Sequence, residues 1–201
     1  MISALLFAAA AGNFTPPDFT PEQDHQVQQS AQGKTGQSGG AVIDARVDPK
    51  GKVSDCKAVA LSGDAPVTSN ICGHVDGMQI EPASVSGESS YGVVRHVVGS
   101  SQVGGSPSLP ADVTLQVNKL PAGQALRVVA NVLVDATGKP QACSAVGDAP
   151  QAYADVACNQ VAGLSFGSIN DDAGKPVRYV RSVIIDFELA TAASAKPPAG
   201  G

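Results

Sequence analysis

Four cysteines, Cys56, Cys72, Cys143 and Cys158, are the residues of this 201-residue chain whose chemistry is most constrained by spacing. A zinc site needs ligands in close pairs, usually C-x-x-C with a second Cys or His pair. No C-x-x-C occurs, and His25, His74 and His96 show no H-x-x-x-H or H-E-x-x-H spacing. Disulfides are the chemistry that fits; reduced core cysteines are the alternative in a cytosolic chain. There is no G-x-S-x-G and no phosphate-binding glycine loop. Ser62-Gly-Asp and Ser86-Gly-Glu read as turns rather than catalytic groups. Asp171-Asp172 is an acidic pair without the oxygen-ligand spacing of a calcium loop. No catalytic residue, metal ligand or cofactor is expected; the alternative is an enzyme whose groups converge from distant positions.

The elements that hold these cysteines occur twice. Cys56 and Cys143 stand 87 residues apart, as do Gly51 and Gly138, and Asp48 and Asp135. Gly-Asp-Ala-Pro precedes the second cysteine of each copy, at 63–66 and 147–150. Four cysteines permit three connectivities. The repeat selects Cys56–Cys72 and Cys143–Cys158, each joining the return strand of a hairpin to the following helix. Units of about 60–70 residues bury a small core and need such staples.

In the first copy, Ala41, Ile43, Ala45 and Val47 alternate with charged residues, the period of a strand. Asp48-Pro-Lys-Gly-Lys is a turn, Val53–Leu61 returns, and Asp64 offers a helix cap with Pro66 in the first turn. Val67, Ile71, Val75 and Met78 then share a helical face; Gly73 and Gly77 weaken that helix. Tyr91–Val98 is the third strand. The second copy repeats the plan: Leu126–Val134, the turn Asp135-Ala-Thr-Gly-Lys, Gln141–Val146, a helix capped by Asp148, the turn Asp171-Asp-Ala-Gly-Lys-Pro, and Val177–Leu189. The expected class is α+β: two tandem small domains, each a three-stranded antiparallel sheet (hairpin-helix-strand) with a helix on one face. A right-handed crossover gives strand order 2-1-3, with strands 2 and 3 as edges. The segments are a signal-like stretch (1–12), a flexible lead-in (13–39), domain one (40–99), a linker (100–123) in which Ala111–Asn118 reads equally as strand or extended chain, domain two (124–189) and a disordered tail (190–201).

A net charge of −5 without a basic run argues against nucleic acid or an anionic membrane as partner. Ile2–Ala11 is apolar but shorter than the about 20 residues needed to span a bilayer. It reads as a secretory signal with an A-x-A-like site near Ala9–Ala11, atypical because no Lys or Arg precedes Lys34. With paired cysteines, the expected location is periplasmic or secreted, with no membrane insertion once the signal is removed.

Three stations, VLVDATGKPQACSAVGDAP, ADVACNQVAGLSF and DDAGKPVRYVRSVIIDFEL, resemble the C-terminal domain of TonB-type energy transducers. The resemblance covers the second copy well and the first more loosely, since its third turn, Val85-Ser-Gly-Glu-Ser-Ser, lacks Gly-Lys-Pro. It implies a periplasmic module that takes an extended segment of an outer-membrane transporter onto the edge of its third strand, at Val180, Ser182 and Ile184. Affinity in such β-augmentation comes from main-chain hydrogen bonds and choice from alternate side-chain pockets. A transducer of that family also has a membrane helix and a long Pro-rich spacer, and this sequence shows neither. The expectation is therefore a soluble tandem relative: a non-catalytic module binding a protein or peptide of the cell envelope. The alternative is an accessory subunit of a TonB-type transport system.

Overall fold

A computed structural model describes residues 13–30, 40–62, 66–99, 108–121 and 125–190. The signal-like segment 1–12, the Asp64 cap, the stretch 100–107 and the tail from residue 191 lie outside them. The chain runs β1 (Phe14–Thr15), α1 (Pro21–Ser30), β2 (Gly40–Val47), β3 (Val53–Ser62), α2 (Pro66–Val75), β4 (Ala83–Val85), β5 (Glu88–Ser90), β6 (Gly92–Gly99) and β7 (Val113–Val117). It continues through β8 (Leu126–Val134), β9 (Pro140–Val146), α3 (Gln151–Val161), β10 (Ile169–Asn170), β11 (Pro176–Val177) and β12 (Tyr179–Leu189). The class is mixed α+β, mostly sheet with three helices.

The hairpin turns follow from one local device. Asp48 Oδ1 accepts the amides of Lys50 and Lys52 at 2.8 and 2.9 Å. Asp135 does the same for Thr137 and Lys139, and Asp171 for Ala173 and Lys175. An aspartate that bonds its own backbone two residues on holds the chain in a turn. Gly138, with φ 87°, then takes the left-handed corner. Its carbonyl accepts the Phe166 amide at 2.9 Å, and a Cβ there would lie 2.6 Å from the Gly167 carbonyl carbon. Conformation and close approach both require glycine. The Gly51 carbonyl receives the Ile80 amide in the same way, so in each half the segment after the helix closes over the hairpin turn.

Asp135 also gives a pH test. The Thr137 hydroxyl, then the Lys139 and Thr137 amides, stabilise its charged form and hold the carboxyl below its ordinary range. Its contribution is complete above the unfolded carboxylate value of about 3.9 and disappears as pH falls through the lower folded value. The Thr137 and Lys139 amide resonances should therefore titrate at a lower pH than a random-coil aspartate would impose.

Strand order within each half is β3-β2-β6 and β9-β8-β12. The third strands, however, are not edges. They lie side by side in one seven-stranded sheet of order β3-β2-β6-β12-β8-β9, with β7 also pairing β12. Within each half every pairing is antiparallel, as expected, whereas the unexpected β6–β12 and β7–β12 pairings are parallel. The first junction is short: Val180 meets Gly92, Arg181 meets Val93, and the Val180 amide donates to the Tyr91 carbonyl at 3.0 Å.

Two-residue periodicity places the layers. Val94 and Val98 belong to a core with Val27, Ile43, Ile71 and Val75, under α1 and α2. Val93, one residue along, packs against the other core, which holds Val128, Val132, Ala157, Tyr179 and Phe187 under α3. The helices of the two halves thus cover opposite faces of one sheet, a pseudo-two-fold relation about an axis along β6 and β12. Opposite α3, the small sheet β1-β4-β5 closes the second half: Phe14 and Ala83 bury against Ala142 and Val180. That contact is close, since a Cβ on Gly92 would meet Pro17 Cδ at 2.6 Å.

Residues 13–30 are not a flexible lead-in. Pro21 occupies the first helical position of α1, preceded by Thr20 as a cap. The Gln23 amide donates to Thr20 Oγ1 at 3.3 Å and the Thr20 amide to Gln23 Oε1 at 3.0 Å, a reciprocal capping box. Val27 is fully buried, and Gln28 bonds the Gly99 amide and the Val97 carbonyl, fixing the helix to β6. Thr20→Ala should cost about 1 kcal/mol, typical of a lost cap, measurable by urea unfolding. The expected Asp148 cap is also absent. The α3 N-cap is Pro150, without a side-chain bond; its carbonyl receives the Tyr153 and Ala154 amides, so the helix starts beyond the reach of Asp148.

Two disulfides join sheet to helix, Cys56–Cys72 and Cys143–Cys158, with Cα separations of 5.3 and 5.5 Å. They point to an oxidising, extracytoplasmic compartment. No described helix is long and apolar enough to cross a membrane; strands of a β-barrel are a separate matter.

Candidate functional site

Val180, Ser182 and Ile184 lie on β12, where the structure puts them in the middle of the sheet. One side of β12 pairs with β8 from Tyr179 to Phe187. The other side, expected to be an open edge, is occupied. Tyr91 holds Val180, and β7 pairs in parallel from Ile185↔Val113 to Leu189↔Val117. Between these, Asp112 closes on Ile184 from both sides: its amide donates to the Ile184 carbonyl at 2.8 Å, and its Oδ2 accepts the Ile184 amide at 2.8 Å. The edge expected for an incoming strand is therefore filled by this chain's own segment. Val180 and Ile184 are buried and Ser182 is half-buried, its hydroxyl 3.4 Å from Asn131 Oδ1.

A charged array, which sequence reading missed, runs across this junction. Register puts Arg46, Val93 and Arg181 in one cross-strand row and Asp44 beside Arg95 in the next, all on one face. Arg46 pairs with Asp55 at 2.8 Å and with Asp172 at 3.0 Å. Arg95 donates to Asp112, and Arg181 approaches the same carboxylate at 4.0 Å with its guanidinium 4.7 Å from the Phe166 ring centroid. Burial of Arg46 opposes its charge, but the hydrogen bonds it donates to Asp172 and Asp55, with the attraction of those carboxylates, outweigh it and hold the guanidinium above its ordinary value. Part of the signal was present: Arg95 and Arg181 interrupt the apolar series Tyr91, Val93, Val97 and Tyr179, Val183, Ile185, and an aspartate stands immediately before Val-x-Leu-x-Val, whereas Arg46 alternates with the core residues Ala45 and Val47 as a solvent-facing residue would. Arg46–Asp172 spans 126 residues and ties the first half to the second, and Arg95–Asp112 ties β6 to the segment that leads into β7.

The other sequence candidates have structural partners. Asp171 caps its turn and Asp172 pairs with Arg46. His96 meets Asp24 at 2.7 Å, and His25 meets Gln29. Ser86 and Gly87 form a two-residue hairpin corner with φ near 55° and 85°. Among the described residues, no group of three or more His, Cys, Asp or Glu is placed to hold a metal ion.

In the seven-stranded sheet β3 and β9 end the strand order, and β7 is paired only on its β12 side, among the described residues. β9 opens with Pro140, which has no amide to donate. β3 is the longer, at ten residues. Its start is blunted by a bulge: Asp55 (φ 55°) and Cys56 are set against Ala45 alone, and the Cys56 amide donates to Asp76 at 3.2 Å. Beyond the bulge the strand presents Val59 at 67% exposure and Leu61 at 42%. An open edge with exposed apolar side chains is a template for another strand.

No known protein family, no curated protein and no solved structure matches the chain.

Proposed function

We propose that this is an exported, non-catalytic binding module of the periplasm. It is built from two TonB-C-like units in tandem, and it takes an extended segment of an envelope protein onto a sheet edge. The observation that carries this reading is the stretch of β3 beyond the bulge, where Val59 and Leu61 stand exposed on an edge without a strand neighbour among the described residues. The paired cysteines suit export, and the resemblance of the turn and helix motifs supplies the class of partner. A strand added there would gain main-chain hydrogen bonds along Lys57–Ser62 and apolar contact with Val59 and Leu61.

The test is capture of envelope proteins by wild type and by a Val59→Lys/Leu61→Lys variant. Lysines on an edge oppose strand addition without touching the core. Partners held by wild type and lost by the variant support the reading; the same partners on both overturn it.

A further inference from the structure

We infer that residues 112–117 are a built-in occupant of the β12 edge, and that a partner strand of the same pattern, an acidic residue followed by alternating apolar residues, takes their place. The inference rests on the reading of the protein as a strand-adding module, but it concerns a different edge from β3. β7 belongs to neither copy of the repeat, yet it completes the central strand. It joins in parallel, the slightly weaker pairing, on a sheet whose hairpins are antiparallel. None of its five residues is fully buried, whereas Ile185 and Phe187 opposite are.

The way β7 is held defines what could replace it. Val113, Leu115 and Val117 pack against the core beneath α3, so a replacement needs apolar side chains at alternate positions. Asp112, one residue earlier, sets a carboxylate between Arg95 and Arg181 and onto the Ile184 amide. Its departure would leave two mostly buried guanidiniums and one amide without that acceptor, so a replacement needs an acid there. Charged hydrogen bonds of this kind are the strong ones, and they make the acidic position the main determinant of choice.

Hydrogen exchange and peptide binding test this together. In wild type, the Ile184 and Ala190 amides, which donate to Asp112 and to the Val117 carbonyl, should exchange faster than the central amides of Val128 and Val132. In Asp112→Ala, exchange at Ile184 should rise by roughly tenfold or more, the scale of a lost bond to a charged group. A labelled synthetic peptide of residues 111–118 should bind Asp112→Ala at least about tenfold more tightly than wild type, and lose that gain when its aspartate is asparagine. Wild-type exchange of Ile184 and Ala190 only through global unfolding would overturn the inference, even if the variant fails to fold. So would a folded variant that ignores the peptide. Because the Val59→Lys/Leu61→Lys variant leaves β12 untouched, it should bind the peptide as wild type does, and failure at β3 stays distinguishable from failure here.

Discussion

Replacing Cys143 and Cys158 together by alanine is expected to lower stability by about 3 kcal/mol, the chain-entropy value for closing a loop of 15 residues. In a chain of this size that corresponds to a fall in Tm of roughly 6–12 °C. Removing Cys56–Cys72, with a separation of 16, should have a similar effect through the unfolded chain and a further one through α2. That helix carries Gly73 in its interior, which weakens it by about 1 kcal/mol relative to alanine. α1 also rests against it, with Val27, Ile71 and Val75 in one cluster. Loss of both bridges approaches 6 kcal/mol, comparable to the whole margin of about 5–15 kcal/mol of a typical domain. The measurement is urea unfolding of the two double variants and the quadruple variant. Near-wild-type midpoints for all three would show that the bridges only decorate a core sufficient without them.

What the sequence disclosed was local. The Asp-x-x-Gly-Lys turns were legible because the aspartate bonds amides two and four residues away and the glycine takes a left-handed corner, all within five residues. The sulfur pairing followed because each bridge stays within one copy. Pairing between the third strands was not legible, because nothing in either copy encodes the register of Val180 with Gly92. A clue existed: Val180 and Ile184 are apolar on the face opposite Val183 and Ile185, the pattern of a strand covered on both sides. Residues 13–30 were misread for a compositional reason. Gln and Pro dominate them, and the anchors Phe14, Phe19 and Val27 are too widely spaced to show a period, although Thr20-Pro-Glu-Gln is a helix-start signature. The charged array was hidden because its members come from six separate segments.

Phe187→Ala is expected to cost about 3–5 kcal/mol, the usual range for deleting a buried aromatic ring, and to lower Tm by roughly 6–20 °C. The side chain is fully buried, faces Tyr153 of α3 edge-on with ring centroids 5.1 Å apart, and lies between Leu115 of β7 and Leu126 of β8. The variant also asks whether the sheet melts as one. Tyr91, Tyr153 and Tyr179 are the only tyrosines and all pack on the core beneath α3, so their near-ultraviolet signal reports that side. Exchange at the Ile43 amide reports the other. β12 is gripped from the first half by the Tyr91 carbonyl and, through Val180, by Phe14 and Ala83. Arg46 and Arg95 reach across to Asp172 and Asp112. Loss of the core beneath α3 removes the support for all of these contacts at once. Tyrosine signal and Ile43 protection should therefore fall together in the variant, with one midpoint. An Ile43 amide that stays protected after the tyrosine signal has gone would mean that the two-residue junction between β6 and β12 is an adhesion rather than a shared core.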